Sequence, residues 1–470
     1  MAEGGHYDIV ILGGGSGGYA CALRAAEFGK RVALIEKDKV GGTCLHRGCI
    51  PTKALLHAAE VADSSRESAK FGVRTSFEGI EMPAVLSYQQ GVVERLWKGL
   101  QSTLASRKID VIYGDGKLAS PTSVTVNGAT YTGDHVVLAT GSVPRSLPGL
   151  AVDGTHVITS DDALTLDRVP SSAIILGGGV IGVEFASVWR SFGAEVTIVE
   201  MAPQLLPLED EGSAKVLQRV FRRRGIGFEL GTPFQSVTTT DSGVQVTLGN
   251  GKQLEAEVLL VAVGRGPVSA DLGYEENGVT ITRGFVDVDR LCQTAVPTIS
   301  AVGDLVSIAE IAHPQLAHVG FAEGILVAER LGGLDVRPID YDGVPRITYS
   351  DPEVASVGIT SAQAAERGIN VVEVNYPLGG NGKSVILQTQ GQAKVMAEAP
   401  STPGGQPGRV VGVHLVGSRV GELIAEAQLI FNWDAEPDDV AALIHPHPTQ
   451  SEIIGEAHMA LAGKPLHFHA

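Results

Sequence analysis

Cysteine is scarce in this chain, with four in 470 residues. So few exclude a small secreted scaffold stapled by disulfides, and any disulfide is expected to be catalytic rather than structural. Cys21 and Cys292 stand alone without metal-ligand spacing, so no metal centre is expected. Positive charge is short as well. Lys and Arg number 36 against 53 Asp and Glu, a net charge of −17. That balance argues against a nucleic-acid partner and against an anionic membrane surface. Long apolar runs are missing from the start: Ile9-Val10-Ile11-Leu12 spans four residues and ends in glycine. It is neither a signal peptide nor a membrane-spanning helix, and a cytoplasmic enzyme is the expectation.

Glycine is plentiful, at 59 residues, which implies many tight turns or close approaches of backbone to ligand. The chain is too long for one ordinary domain, and about three are expected. Its 44% hydrophobic and 19% charged content is that of a globular protein.

Two fingerprints organise the first half. Residues 7–12 read as a buried parallel strand, followed by G-x-G-x-x-G at Gly13, Gly15 and Gly18. A helix pattern over residues 17–28 and a strand over residues 31–36 complete a βαβ unit, with Glu36 placed 23 residues after Gly13. The glycines allow a tight turn and bring a pyrophosphate to the helix N-terminus, and the acid suits a ribose hydroxyl. Residues 173–176 begin a second copy, with Gly177, Gly179 and Gly182, a helix pattern to Ser191 and a strand to Glu200, again 23 residues on. Two such units imply two bound dinucleotides. Glu200 would repel a 2′-phosphate, and residues 201–214 contain no Arg or Lys, which favours NAD over NADP in the second unit.

Between these units lies Gly41-Gly42-Thr43-Cys44-Leu45-His46-Arg47-Gly48-Cys49-Ile50-Pro51-Thr52-Lys53. Cys44 and Cys49 read equally as two buried small hydrophobes or as a redox pair. A zinc half-site would want tighter spacing and a second pair. Residues five apart in a regular helix have Cα atoms roughly 8–9 Å apart, and a disulfide needs less than about 7 Å. A bridge therefore requires a loop or distorted turn, with regular helix starting near Cys49. Gly48 permits that, and Ile50-Pro51 suits a first helical turn. A Cys49 thiolate would then feel the helix N-terminus, which lowers a thiol pKa. Lys53 lies four residues on, on the same helical face.

The stretch resembles the redox-active disulfide motif of the flavin-dependent disulfide reductases, the group containing dihydrolipoyl dehydrogenase, glutathione reductase and mercuric reductase. Gly41 to Cys44 and Gly48 to Lys53 are most similar to the dihydrolipoyl dehydrogenase version. His46-Arg47 departs from the Asn-Val commonest there. It reads either as an exposed loop pair or as added positive charge that lowers a thiol pKa or selects an acidic partner.

That resemblance implies FAD in the first unit, with Gly42, Thr43, Lys53, Gly116, Thr140, Gly141, Asp304 and Ala317 joining its fingerprint. Ala139-Thr140-Gly141 and Ala262-Val263-Gly264-Arg265 resemble the family's chain crossings. Thr298-Ile299-Ser300-Ala301-Val302-Gly303-Asp304 resembles its second FAD motif, in which the acid binds a ribitol hydroxyl. Two departures occur here. Ser300 replaces the usual aromatic, a tolerable change, and the segment from Asp304 to Leu316-Ala317-His318 is longer than usual. Glu184 and Gly264 join the NAD site, and Glu184 is implied to pair with Lys53 near the nicotinamide. His445-Pro446-His447-Pro448-Thr449-Gln450-Ser451-Glu452 contains the family's C-terminal His-Pro-Thr-x-Ser-Glu signature. It implies His447 as base, oriented by Glu452 and reaching the active site of the other subunit of an obligate homodimer. Relatives have a cis bond at the position of His447-Pro448.

The expected architecture is α/β: two Rossmann-like dinucleotide-binding domains plus a C-terminal α+β dimerisation domain. Its parts are residues 1–150 for FAD and the redox pair, 151–274 for NAD, 275–343 as a central second FAD segment, and 344–470 for dimerisation. The implied reaction is oxidation of dihydrolipoyl groups by NAD. The implied partner is a lipoyl-bearing domain of a 2-oxoacid dehydrogenase or glycine cleavage complex. Competing readings are a low-molecular-weight disulfide reductase of the same family and a flavoprotein binding subunit without disulfide chemistry. Relatives with an extra C-terminal redox pair are disfavoured, because the chain ends Pro465-Leu466-His467-Phe468-His469-Ala470 without Cys.

Overall fold

The computed structural model describes residues 3–468. The first unit runs β1 (Glu3–Leu12), α1 (Ser16–Glu27), β2 (Val32–Glu36), α2 (Gly42–Arg47), α3 (Cys49–Glu67), α4 (Met82–Ser106), β3 (Asp110–Tyr113), β4 (Gly116–Ser120), β5 (Ser123–Val126) and β6 (Ala129–Leu138). Strands β3, β2, β1 and β6 lie side by side and parallel, and the β4–β5 hairpin extends the sheet antiparallel. Strand β1 is buried on both faces, as an unbroken apolar run demands. Ile9 and Ile11 join the cluster containing Cys21, Ala22 and Ala25 of α1, whereas Val10 and Leu12 face a second cluster with Tyr274 and Val286.

A short crossing strand β7 (Ser142–Pro144) leads to the second unit: β8 (Val157–Ile158), α5 (Ser160–Ala163), β9 (Ser172–Leu176), α6 (Val180–Phe192), β10 (Glu195–Glu200), α7 (Glu211–Arg224) and β11 (Gly227–Leu230). An antiparallel three-stranded sheet follows, β12 (Phe234–Thr240), β13 (Gly243–Leu248) and β14 (Gln253–Ala256). Then β15 (Val258–Val261) enters the parallel sheet β11-β10-β9-β15-β8, and β16 (Arg265–Pro267) pairs with β7 as the return crossing.

The chain then re-enters the first unit through β17 (Ile281–Thr282), β18 (Phe285–Val288), β19 (Ile299–Ala301), β20 (Val306–Ile308) and α8 (Ala317–Leu331). Strand β19 pairs with β6, so the first sheet gains a strand from the middle of the sequence. The last part is an antiparallel five-stranded sheet of β21 (Arg346–Thr348), β22 (Glu353–Gly358), β25 (Val410–Gly417), β24 (Gln392–Glu398) and β23 (Val371–Pro377), in that spatial order. Helices α9 (Ser361–Glu366) and α10 (Gly382–Ile386) lie in its connections. Helices α11 (Val420–Asn432), α12 (Pro437–Ala441) and α13 (Glu452–Leu461) pack its apolar core. The Pro/Gly-rich residues 402–408 lie between β24 and β25. Among the described residues no helix is long and apolar enough to cross a membrane.

Candidate active site

The two glycine turns are built alike. Gly13 and Gly177 have φ of +110° and +112°, and a Cβ on either would lie within 2.3 Å of the Ala139 or Ala262 carbonyl oxygen. A Cβ on Gly18 or Gly182 would strike the Gly13 or Gly177 carbonyl at 1.9 and 2.0 Å. These four positions are glycine because backbone passes against them. Gly15 and Gly179 differ. A Cβ there meets only Gly42 Cα at 3.9 Å, or nothing within 4 Å. Each N-caps its helix without a side-chain cap, leaving the first N–H groups of α1 and α6 for a ligand. Two open glycine cradles at uncapped helix N-termini fit two dinucleotides. Glu36 and Glu200 close the turns: Gly14 N–H donates to Glu36 at 2.8 Å and Gly178 N–H to Glu200 at 2.6 Å. Gly141 (φ +69°) and Gly264 (φ +106°) also face open space.

The redox stretch adjoins the first cradle for a steric reason. Gly42, at φ +57°, would place a Cβ 2.6 Å from Gly15 Cα, so α2 starts directly against the turn. Helix α2 ends at Gly48, whose φ −152° and ψ −110° break the helix before α3 begins at Cys49. The distorted turn is thus a joint between two helices, because the residues before Gly48 form a helix of their own. Cys44 and Cys49 are half-buried free thiols that hydrogen-bond to each other. That bond, and burial, push Cys44 up. On Cys49 the Cys44 hydrogen bond and the Lys53 ammonium outweigh burial and bring the pKa from 9.0 down to about 7.

Lys53 Nζ donates to both Glu184 oxygens at 2.8 Å and lies 4.7 Å from the centre of the Tyr349 ring. Glu184, buried on α6, also accepts from Tyr349 N–H at 2.9 Å. The first unit, the second and the C-terminal sheet region therefore meet at one carboxylate. Asp304 accepts from Ser142 Oγ at 2.5 Å, and Arg265 donates to Ser142 Oγ at 2.8 Å and to Thr43 Oγ1 at 3.4 Å. Thr140 spends its hydroxyl internally, donating to the Val268 carbonyl at 2.6 Å beside Tyr274. Gly116 is packed against Leu12 and Ile35. Ala317 opens α8, which lies so close to α1 that a Cβ on Gly324 would sit 2.2 Å from the Gly17 carbonyl.

The departures have structural answers. Ser300 is fully buried and bonded to His135 Nε2 at 2.9 Å and to Arg330 at 2.6 Å, so a polar network replaces an aromatic ring. The long segment after Asp304 holds β20, which pairs with β18, and His313, whose Nε2 lies 2.7 Å from Glu323. His46 and Arg47 turn away from the thiols: His46 contacts the Val40 carbonyl and the edge of Trp97, and Arg47 pairs with Asp38.

At the far end of the chain, His447 Nδ1 lies 2.8 Å from Glu452 Oε1, and Glu452 Oε2 accepts from Thr449 N–H at 2.8 Å. Burial pushes the Glu452 carboxyl up, but these two bonds outweigh it and its pKa is lowered. The His447-Pro448 bond is cis. His447 is 77% exposed, and among the described residues no hydrogen bond or ion pair joins it to either cysteine of its own chain. A second pair, His445 with Glu426 at 2.7 Å, lies just behind it.

Comparison with known proteins agrees with this arrangement. Residues 7–324 match the pyridine nucleotide-disulphide oxidoreductase model, and residues 344–458 match the dimerisation domain of the same enzymes. The chain belongs to the pyridine nucleotide-disulphide oxidoreductase family. Dihydrolipoyl dehydrogenase of Bacillus subtilis is 40% identical, over 98% of this chain and 99% of the relative. The mitochondrial dihydrolipoyl dehydrogenase of Pisum sativum is 36% identical, over 98% and 92%. LpdA from Mycobacterium tuberculosis superposes with a TM-score of 0.88 at 28% identity, over 96% of this chain and 99% of that one. The HOCl-induced flavoprotein disulfide reductase of Escherichia coli gives 0.84 at 30% identity, over 96% and 99%.

In this disulphide oxidoreductase the α/β architecture is the family's, with two Rossmann-like units and a C-terminal α+β dimerisation domain. Sequence reading overlooked Ser142, Arg265 and Tyr349 as site residues. Arg265 carried a signal, since it ends a crossing motif. Ser142 and the Tyr349 N–H carried none, because their roles arise from pairs more than a hundred residues apart.

Proposed function

We propose that this chain is a dihydrolipoyl dehydrogenase that binds FAD in the first unit and NAD in the second. The observation that carries the proposal is the Cys44–Cys49 pair on its helix joint, with the Lys53–Glu184 ion pair behind Cys49 and a dinucleotide cradle on either side. Relatives named dihydrolipoyl dehydrogenase over nearly the whole chain support it. The division into residues 1–150, 151–274, 275–343 and 344–470 belongs to the same proposal, supported by the crossing strands β7 and β16 and by the pairing of β19 with β6.

The protein's part in the reaction is thiol–disulfide exchange. A substrate thiolate attacks Cys44 Sγ of the oxidised pair, the Cys44–Cys49 bond breaks, and Cys49 leaves as a thiolate. Lys53 stabilises that charge, and Glu184 holds the ammonium in place. The second substrate thiol loses its proton to His447 of the partner subunit and attacks the substrate sulfur bound to Cys44. The cyclic lipoyl disulfide closes, Cys44 is released, and the pair has gained two electrons. Glu452 orients the imidazole through Nδ1, which leaves Nε2 to take the proton. The chemistry supplied by bound FAD and NAD is transfer of that electron pair onward as hydride. Gly13, Gly15, Gly18, Glu36 and Asp304 would hold FAD, and Gly177, Gly179, Gly182 and Glu200 would hold NAD. A lipoyl-bearing domain of a 2-oxoacid dehydrogenase or glycine cleavage complex is the partner this chemistry serves.

Steady-state turnover with dihydrolipoamide, comparing NAD with NADP, tests the proposal. Turnover with NAD and little with NADP is the expected result. NADPH-driven reduction of another small disulfide, with negligible dihydrolipoamide oxidation, would overturn both the substrate and the reading of Glu200.

A further inference from the structure

Arg224 is the last residue of α7, yet its side chain serves other elements. It is only 16% exposed. Nη1 donates to Ser187 Oγ at 2.8 Å and to the Asp351 carbonyl at 2.6 Å. Nη2 donates to Ser191 Oγ at 2.7 Å and to Asp63 Oδ2 at 3.2 Å. Ser191 Oγ itself donates to Asp63 at 2.5 Å, and Arg66 reaches the Ser191 carbonyl. Asp351 N–H returns to Ser187 Oγ at 3.0 Å. One guanidinium thus ties α3 of the redox unit, α6 of the second unit and the loop before β22.

These are the two helices that carry the site. Helix α3 holds Cys49 and Lys53 at one end and Asp63 near the other, ten residues and about 15 Å beyond Lys53. Helix α6 holds Glu184, and Ser191 seven residues and about 10 Å on. The Lys53–Glu184 pair joins the helices at one end and the Arg224 cluster joins them at the other. A single contact would leave two packed helices free to roll or slide. Two contacts that far apart fix their register. Lysine has a flexible stem and a compact charge, so where its ammonium sits depends on where Glu184 is held.

We propose that Arg224 is a positioning residue for the redox site: it locks α3 against α6 so that Lys53 and Glu184 keep their register beside Cys49. The role suits arginine alone. Its planar fork reaches four acceptors on three segments, whereas an ammonium on a lysine stem would have to choose among them.

The test reads Cys49 directly in the reduced, cofactor-loaded dimer. Iodoacetamide labelling is followed against pH on tryptic peptides, since cleavage after Lys39, Arg47 and Lys53 puts Cys44 on residues 40–47 and Cys49 on residues 48–53. In Arg224→Gln the Cys49 midpoint is expected to rise by about half a pH unit or more, as the ammonium loses its fixed position. Arg224→Lys should give an intermediate rise. Ser191→Ala, which removes one partner and keeps the arginine, should move the midpoint the same way and serves if Arg224→Gln does not fold. A lowered melting temperature with an unmoved Cys49 midpoint would reduce Arg224 to a structural residue and overturn the proposal. The proposal rests on Cys49 being the stabilised thiolate. A wild-type protein in which Cys49 labels only above its ordinary range would overturn that assignment instead.

Discussion

At the scale of single residues, the site depends on one buried carboxylate. Glu184 accepts from Lys53 with both oxygens and from Tyr349 N–H with one. Removing the ammonium leaves a nearly inaccessible charge with a single backbone donor. Lys53→Met is therefore expected to cost about 3 kcal/mol, the low end for breaking a buried pair, because a third of the lysine side chain is exposed. Adding Glu184→Gln should recover most of that stability while turnover stays low, since Cys49 still lacks its cation. Urea midpoints for the single and double variants, alongside kcat, separate the two effects. An equally unstable double variant would mean that Lys53 acts through packing. Cys44, Cys49, Lys53, His447 and Glu452 could be singled out from the sequence because each lies in a short contiguous motif with a helix start beside it. Ser142 and Arg224 could not, and Arg265 showed only as the end of a crossing motif. Their partners are supplied by segments distant in sequence, and no local pattern encodes such a pair. His46-Arg47 was visible as an oddity but its use was not, because the side chains turn back to residues 38–40.

At the scale of elements, close backbone approach decides where glycine is indispensable. Gly324 of α8 lies against α1, where a Cβ would sit 2.2 Å from the Gly17 carbonyl and 2.9 Å from the Cys21 nitrogen. Backbone atoms cannot swing aside, so Gly324→Ala must push the helices apart. Overpacking of this kind costs about 1–3 kcal/mol, and α8 would draw away from the first cradle. Gly91 of α4 makes the contrast: a Cβ there meets nothing within 4 Å. Gly91→Ala should stabilise by about 0.5–1 kcal/mol, the helix-propensity difference. Thermal melts of the two variants should move in opposite directions, and a destabilised Gly91→Ala would contradict the open environment of α4. The parallel strands β1 and β9 were legible because each is an apolar run followed by a glycine turn, and β2 and β10 because each ends in an acid 23 residues after the first glycine of that turn. The β12–β14 sheet was not, since its first strand is Thr-rich and mostly exposed, without an apolar alternation. Strand β22 was not legible because it follows directly on Asp351-Pro352, which reads as a turn.

At the scale of the molecule, a single chain leaves His447 unconnected to the Cys44–Cys49 pair among the described residues. His447 is exposed, pairs with Glu452 and makes no hydrogen bond to either cysteine of its own chain among the described residues. Leu443 and Ile444, 61% and 97% exposed, precede it and present apolar surface in the region matched by the dimerisation domain. In the proposed function base and thiols meet in a symmetric dimer, in which each chain's His447 would serve the other's site. Complementation decides the point. Cys44→Ser and His447→Gln should each be nearly inactive as homodimers. Unfolded together and refolded in equal amounts, half of the dimers are mixed. Each mixed dimer then has one site with intact thiols from one chain and an intact base from the other, so turnover should return to about a quarter of wild type. If thiols and base served the same chain, every site in the mixed dimer would carry a defect and no activity would return. Recovery to about a quarter would place the working unit of this enzyme in the dimer, where neither subunit holds a complete site.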